Sequence, residues 1–124
     1  MRILCVDPNP RWLAGLRSHV TRLAPTADIA CCCTPDEALR AVQDGGCDIL
    51  LTEIDLKSPR TDGFLLAGQI ASLYPRVNII FVSDRKDDAL ALRALELHAS
   101  GYLRKPCEHQ NLADEFNNLR YQAV

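Results

Sequence analysis

The chain has 124 residues, enough for one ordinary hydrophobic core, so a single domain over 1–124 is expected. Hydrophobic content of 48% and charged content of 24% are those of a globular domain, and a formal net charge of −2 argues against direct nucleic acid binding or an anionic membrane surface. No apolar run approaches the length a bilayer needs, and Met1-Arg2-Ile3 opens a strand rather than a secretory leader, so a cytoplasmic location is expected.

Residues Arg2 to Val6 read as a first strand, stopped by the turn chemistry of Asp7-Pro8-Asn9-Pro10. A helix follows from about Arg11 to Leu23, with Leu13, Leu16, Val20 and Leu23 on one stripe, and Pro25 ends it. A second strand covers about Asp28 to Cys33. Thr34 and Glu37 have capping-box spacing, and Pro35 suits the first helical position of a second helix that stops at Gly45-Gly46. Ile49 to Leu51 are apolar at every position, as in a strand buried on both faces of a parallel sheet, and the segment runs on into Glu53 and Asp55. A third helix spans about Gly63 to Leu73, closed by Tyr74-Pro75. Val77 to Val82 form a fourth strand with Ser83-Asp84 at its tip. A fourth helix over about Asp87 to His98 places Leu90, Ala94 and Leu97 on one side. A short fifth strand, Gly101 to Arg104, leads into Lys105-Pro106, and a last helix runs from about His109 to Tyr121.

Strand and helix alternate five times, which predicts an α/β fold with a parallel sheet covered on both faces. Neither a dinucleotide-binding glycine fingerprint nor a P-loop is present, and nothing Gly-rich or aromatic marks a small-ligand cofactor loop. In open α/β sheets, ligands bind at the carboxyl edge of the strands. The strand tips there carry Asp7, Glu53, Asp55, Ser83, Asp84 and Lys105. Such a set could hold a hard divalent cation through its carboxylates and an anion through the lysine and hydroxyl, or could be a structural ion-pair cluster.

Six cysteines raise the question of disulfides, but no C-x-x-C pair exists, and reduced buried hydrophobes are the expectation, with redox sensing by Cys31, Cys32 and Cys33 as the alternative. His19, His98 and His109 show no metal spacing and read as surface or packing residues, and Trp12 reads as a packing residue.

The succession Ile3-Leu4-Cys5-Val6-Asp7, Asp48 to Ile54, Asp62-Gly63, Val82-Ser83 and Gly101-Tyr102-Leu103-Arg104-Lys105-Pro106 resembles the receiver domains of bacterial two-component response regulators across the whole chain. The resemblance implies a flavodoxin-like (βα)5 fold with strand order 2-1-3-4-5. It also implies a phosphoryl group passed from a histidine kinase to an aspartate at the end of the third strand, with magnesium held by that aspartate and an acidic pair after the first strand. By position Ser83 and Lys105 match the phosphoryl contacts, Tyr102 the switch aromatic, and Lys105-Pro106 a cis peptide. The surface of the fourth helix, fifth strand and fifth helix would make a homodimer, and the segments Leu97–Leu103 and Asn118–Tyr121 look like receivers that precede a DNA-binding or other output domain.

Two departures stand out. The second member of the acidic pair is Pro8, which has no side-chain oxygen, and the acceptor position falls on Glu53. One extra methylene pushes a carboxylate into the phosphoryl space, and a displacement near 1 Å spoils in-line attack. The expectation is a pseudo-receiver, not an enzyme, with Glu53 as a fixed charge, magnesium weak or absent at Asp7 and Glu53, and regulation by protein–protein contact. The alternative places the acceptor at Asp55 with magnesium, because Asp55 to Gly63 fits the family's D-x-x-x-P-x-x-D-G pattern without a gap. An extended strand would point residues 53 and 55 to one face, about 6.6 Å apart.

Overall fold

Residue parity along each strand divides the core in two. Leu4, Val6, Leu50, Ile79 and Phe81 face one side of the sheet, while Ile3, Cys5, Ile49, Leu51, Ile80 and Val82 face the other. Successive side chains of a strand point to opposite faces, so a strand apolar at every position needs cover on both. The computed structural model, described here for residues 1–85 and 87–121, supplies that cover with five helices.

The elements in order are β1 (Arg2–Val6), α1 (Pro10–Leu23), β2 (Asp28–Cys32), α2 (Pro35–Gly45), β3 (Ile49–Thr52), α3 (Gly63–Leu73), β4 (Asn78–Ser83), α4 (Asp88–Glu96), β5 (Gly101–Arg104) and α5 (His109–Asn117). All strand pairs are parallel, and the sheet order is β2-β1-β3-β4-β5. Helices α2, α3 and α4 pack on the face carrying Leu4 and Phe81; α1 and α5 pack on the face carrying Cys5 and Leu51. This is the flavodoxin-like doubly wound arrangement, whose order reverses beside β1 and opens a crevice at the carboxyl ends of β1 and β3.

Local signals place most boundaries. Asn9 caps α1 by accepting from the Arg11 and Trp12 N–H groups, and Thr34 caps α2 by accepting from Glu37 N–H at 3.2 Å. Asp62 and Asp87 cap α3 and α4 in the same way. Two helices end earlier than their sequence pattern implies. Helix α4 stops at Glu96 because His98 takes a left-handed backbone (φ 58°), not the helical one. Helix α5 stops at Asn117 rather than Tyr121: the Asn78 amide on β4 bonds both the N–H and the carbonyl of Tyr121 (2.7 and 2.8 Å), drawing the chain out of the helix. Among the described residues no helix is long and apolar enough to cross a membrane.

Candidate functional site

At the carboxyl end of β1 the chain leaves the sheet through Asp7, whose N–H donates to Cys32 carbonyl and whose Oδ1 accepts from Asn9 N–H at 2.9 Å. At the end of β3, Glu53 N–H donates to Val6 carbonyl, so the two acids leave neighbouring strand ends side by side. Lys105 follows the end of β5 directly, just before a cis Lys105–Pro106 peptide, with its N–H on Ser83 carbonyl. Its ammonium is ion-paired with Asp7 Oδ2 and lies 3.1 Å from Glu53 Oε1.

All three side chains are withdrawn from solvent: 3% exposed for Asp7, 5% for Glu53 and 10% for Lys105. A charge so placed is tolerated only when paired and hydrogen-bonded. Glu53 meets that condition fully. Its Oε2 accepts from Ile54 N–H at 2.5 Å and Asp55 N–H at 3.3 Å, while Oε1 accepts from Asp84 N–H at 3.4 Å as well as from Lys105. Burial alone would lower the Lys105 pKa, but the two carboxylates outweigh it and hold it above the ordinary lysine value. The lysine also stands 4.9 Å from the centroid of the Trp12 ring, a cation–π contact that gives Trp12 a place at the site and not only in the core. Nothing in the spacing of residues 12 and 105 signals that contact.

Asp55 does not join the cluster. Strand β3 ends at Thr52, so the extended geometry that would align residues 53 and 55 is lost one residue before it is needed. The chain bends outward, Lys57 takes a left-handed backbone, and Asp55 pairs with Lys57 at 3.3 Å with its side chain 58% exposed. The Lys57 N–H and ammonium hold the Asp55 carboxyl below its ordinary pKa. The acidic pocket therefore contains Asp7 and Glu53 but not Asp55.

A sequence model described as "Response regulator receiver domain" matches residues 3–117. The chain belongs to that family. Its curated relatives include an uncharacterised response regulatory protein of Yersinia pestis, 31% identical over 96% of this chain and 48% of its own length. The transcriptional regulatory protein BtsR of Salmonella typhi is 29% identical over 98% of this chain and 49% of its own length, and NatR of Bacillus subtilis is 30% identical over 94% and 48%. The chain thus spans about half the length of these relatives. Among solved structures, the signal receiver domain of an HD domain-containing protein from Pseudomonas fluorescens superposes with a TM-score of 0.82 at 25% identity, covering 94% of this chain and 90% of that one. A receiver domain protein from Clostridium thermocellum gives 0.81 at 24%, covering 94% and 91%.

In this receiver domain the remaining candidates sit around the charged cluster. Ser83 is buried at the end of β4, and its hydroxyl accepts from Arg85 N–H at 3.2 Å. Tyr102 on β5 packs 6.0 Å from the Phe81 ring and donates its hydroxyl to Arg85 carbonyl. Asp84 is exposed, and its part in the site is its backbone N–H on Glu53. His19 and His109, unrelated by sequence spacing, face each other between α1 and α5 with Nδ1 atoms 2.9 Å apart. Among the described residues no group of three or more His, Cys, Asp or Glu side chains is placed to hold a metal ion.

Proposed function

We propose that this receiver domain signals without being phosphorylated, with Glu53 at the acceptor position as a permanent substitute for the phosphoryl charge. The observation that carries this reading is the Lys105 ammonium, which is engaged by Glu53 and Asp7 together. In the family that lysine contacts phosphoryl oxygens, and here a built-in carboxylate occupies its hydrogen-bonding directions. One lysine against two carboxylates also leaves the pocket net negative, which opposes entry of a phosphoryl dianion. The residues present do not fit a magnesium ion. Pro8 offers no side-chain oxygen where the family has a second acid, and each carboxylate is already turned onto the same ammonium.

On this reading the domain works by protein–protein contact. A histidine kinase or another signalling protein is its partner class, and the output it governs is transcriptional, as the names of BtsR and NatR suggest for those proteins. A homodimer through α4, β5 and α5 is favoured by Leu92 and Leu95, which stand 57% and 68% exposed on α4, and by a hollow of about 290 Å³ that Leu95 and Tyr102 line. A cytoplasmic location belongs to the same proposal.

The test is intact mass after incubation with acetyl phosphate and magnesium. The mass is expected to stay unchanged, whereas Pro8→Asp combined with Glu53→Asp should gain one magnesium-dependent phosphoryl group. A phosphoryl adduct on the wild-type chain that Asp55→Ala abolishes would overturn the proposal in favour of an acceptor at Asp55.

A further inference from the structure

All six cysteines are unpaired thiols, and their surroundings differ sharply. Cys31 lies on β2, the edge strand of the sheet, and is half-buried. Directly opposite it in register on β1 is Cys5, fully buried. Both side chains point to the face covered by α1 and α5. Neighbouring strands run about 4.8 Å apart, inside the Cα separation of about 4.4–6.8 Å that a disulfide spans. Arg17 reaches down from α1 and donates from Nη1 to Cys31 Sγ at 3.8 Å.

The two sulfurs are electronically unlike. The hydrogen bond from Cys5 and the Arg17 guanidinium lower the Cys31 pKa, outweighing the opposing effect of burial. Cys5 is driven the other way, by the same hydrogen bond and by burial. Cys32, one residue on, faces the opposite side of the sheet, and burial pushes its thiol up to about 11. Cys47 is pushed to about 12, again by burial first, and burial also raises Cys107. A nucleophilic thiolate needs a nearby cation and access to solvent. Cys31 has both, and Cys5 stands beside it as a second thiol.

We propose that Cys31 and Cys5 form a peroxide-responsive pair, in which Cys31 is the attacking thiolate and Cys5 the resolving thiol. The Cys31 thiolate attacks one oxygen of hydrogen peroxide; the O–O bond breaks, Cys31 becomes a sulfenic acid, and hydroxide leaves and takes a solvent proton. The Cys5 sulfur then displaces the sulfenic hydroxyl, its own proton leaving with that hydroxyl as water. Two sulfurs together give up two electrons, which reduce one peroxide. The product ties β1 to β2 two residues before Asp7, so oxidation acts on the strand that positions a member of the charged cluster.

The reduced protein is treated with hydrogen peroxide, blocked with N-ethylmaleimide and analysed by intact mass and peptide mapping, with Cys32→Ser and Cys33→Ser present so that the assignment is unique. The expected product is a monomer in which Cys5 and Cys31 have together lost two hydrogens, take up no N-ethylmaleimide and appear in one cross-linked peptide. Cys5→Ser should stop at a sulfenic acid that dimedone traps on residue 31. Arg17→Gln should slow alkylation of Cys31 at neutral pH by about threefold or more. A disulfide between two chains, dimedone on any other cysteine, or an Arg17→Gln rate equal to that of the parent would each overturn the pairing.

Discussion

Lys105 Nζ lies 3.1 Å from Glu53 Oε1 and is also ion-paired with Asp7, so one ammonium from the end of β5 closes the carboxyl ends of β1 and β3. The three strands are joined at their tips by charge where the apolar core gives out.

Replacing Lys105 by Met keeps the unbranched stem of the side chain and removes the ammonium, leaving two buried acids without their shared cation. Removing one partner of a buried ion pair costs about 3 kcal/mol or more, and urea unfolding should record that loss. The pH dependence has a definite sign. The Lys105 pKa is above its ordinary value because Asp7 and Glu53 outweigh burial. The folded state therefore holds this proton more tightly than the unfolded state, and the contribution is complete below the ordinary lysine pKa of about 10.4 and lost as pH rises through the folded value. The stability gap between wild type and Lys105→Met should stay level from neutral pH to about pH 10 and close above it. A gap already closing near pH 8 would contradict the assignment.

The fold was legible because its signals are local. Apolar runs such as Ile49–Leu51 and Ile79–Val82, and caps such as Thr34, depend on neighbours within a few residues. Once five strands are counted, their tips are known, and Asp7, Glu53 and Lys105 fall together by topology alone. What was not legible depends on long-range contacts or on one backbone bend. Asp55 leaves the pocket because β3 stops at Thr52, which the apolar pattern does not mark. The contact of Trp12 with Lys105, the His19–His109 pair and the early end of α5 at the Asn78 amide each join residues far apart in the chain.

The His19–His109 pair gives a second pH prediction. With Nδ1 atoms 2.9 Å apart, one ring donates and the other accepts, an arrangement that protonating both rings abolishes. Burial, Arg22 and His19 lower the His109 pKa. The unfolded chain then takes up this proton first, so stability falls as pH drops from the ordinary histidine value of about 6.5 toward the lower folded one. Thermal melting followed through that interval should show a shallower fall for His109→Asn than for wild type. Equal slopes would show that the pair makes no contribution to acid sensitivity.

Gly63 opens α3 where that helix touches the end of β3. Its N–H donates to Ile54 carbonyl at 2.7 Å, and a Cβ at this position would stand 2.2 Å from Glu53 carbonyl and 2.9 Å from Ile54 Cα. Both are backbone atoms, so neither can swing aside as a flexible side chain would. Gly63→Ala must therefore push α3 away from the strand end, and overpacking of this kind costs about 1–3 kcal/mol. Gly15, in α1, has open space where its Cβ would be, so Gly15→Ala should stabilise by up to about 1 kcal/mol through helix propensity. Chemical denaturation of the two variants separates close approach from general glycine cost. Gly63→Ala should also shift the Glu53 backbone and weaken its hold on Lys105, so combining it with Lys105→Met should cost less than the sum of the two single losses. Strict additivity would mean that α3 does not support the charged cluster.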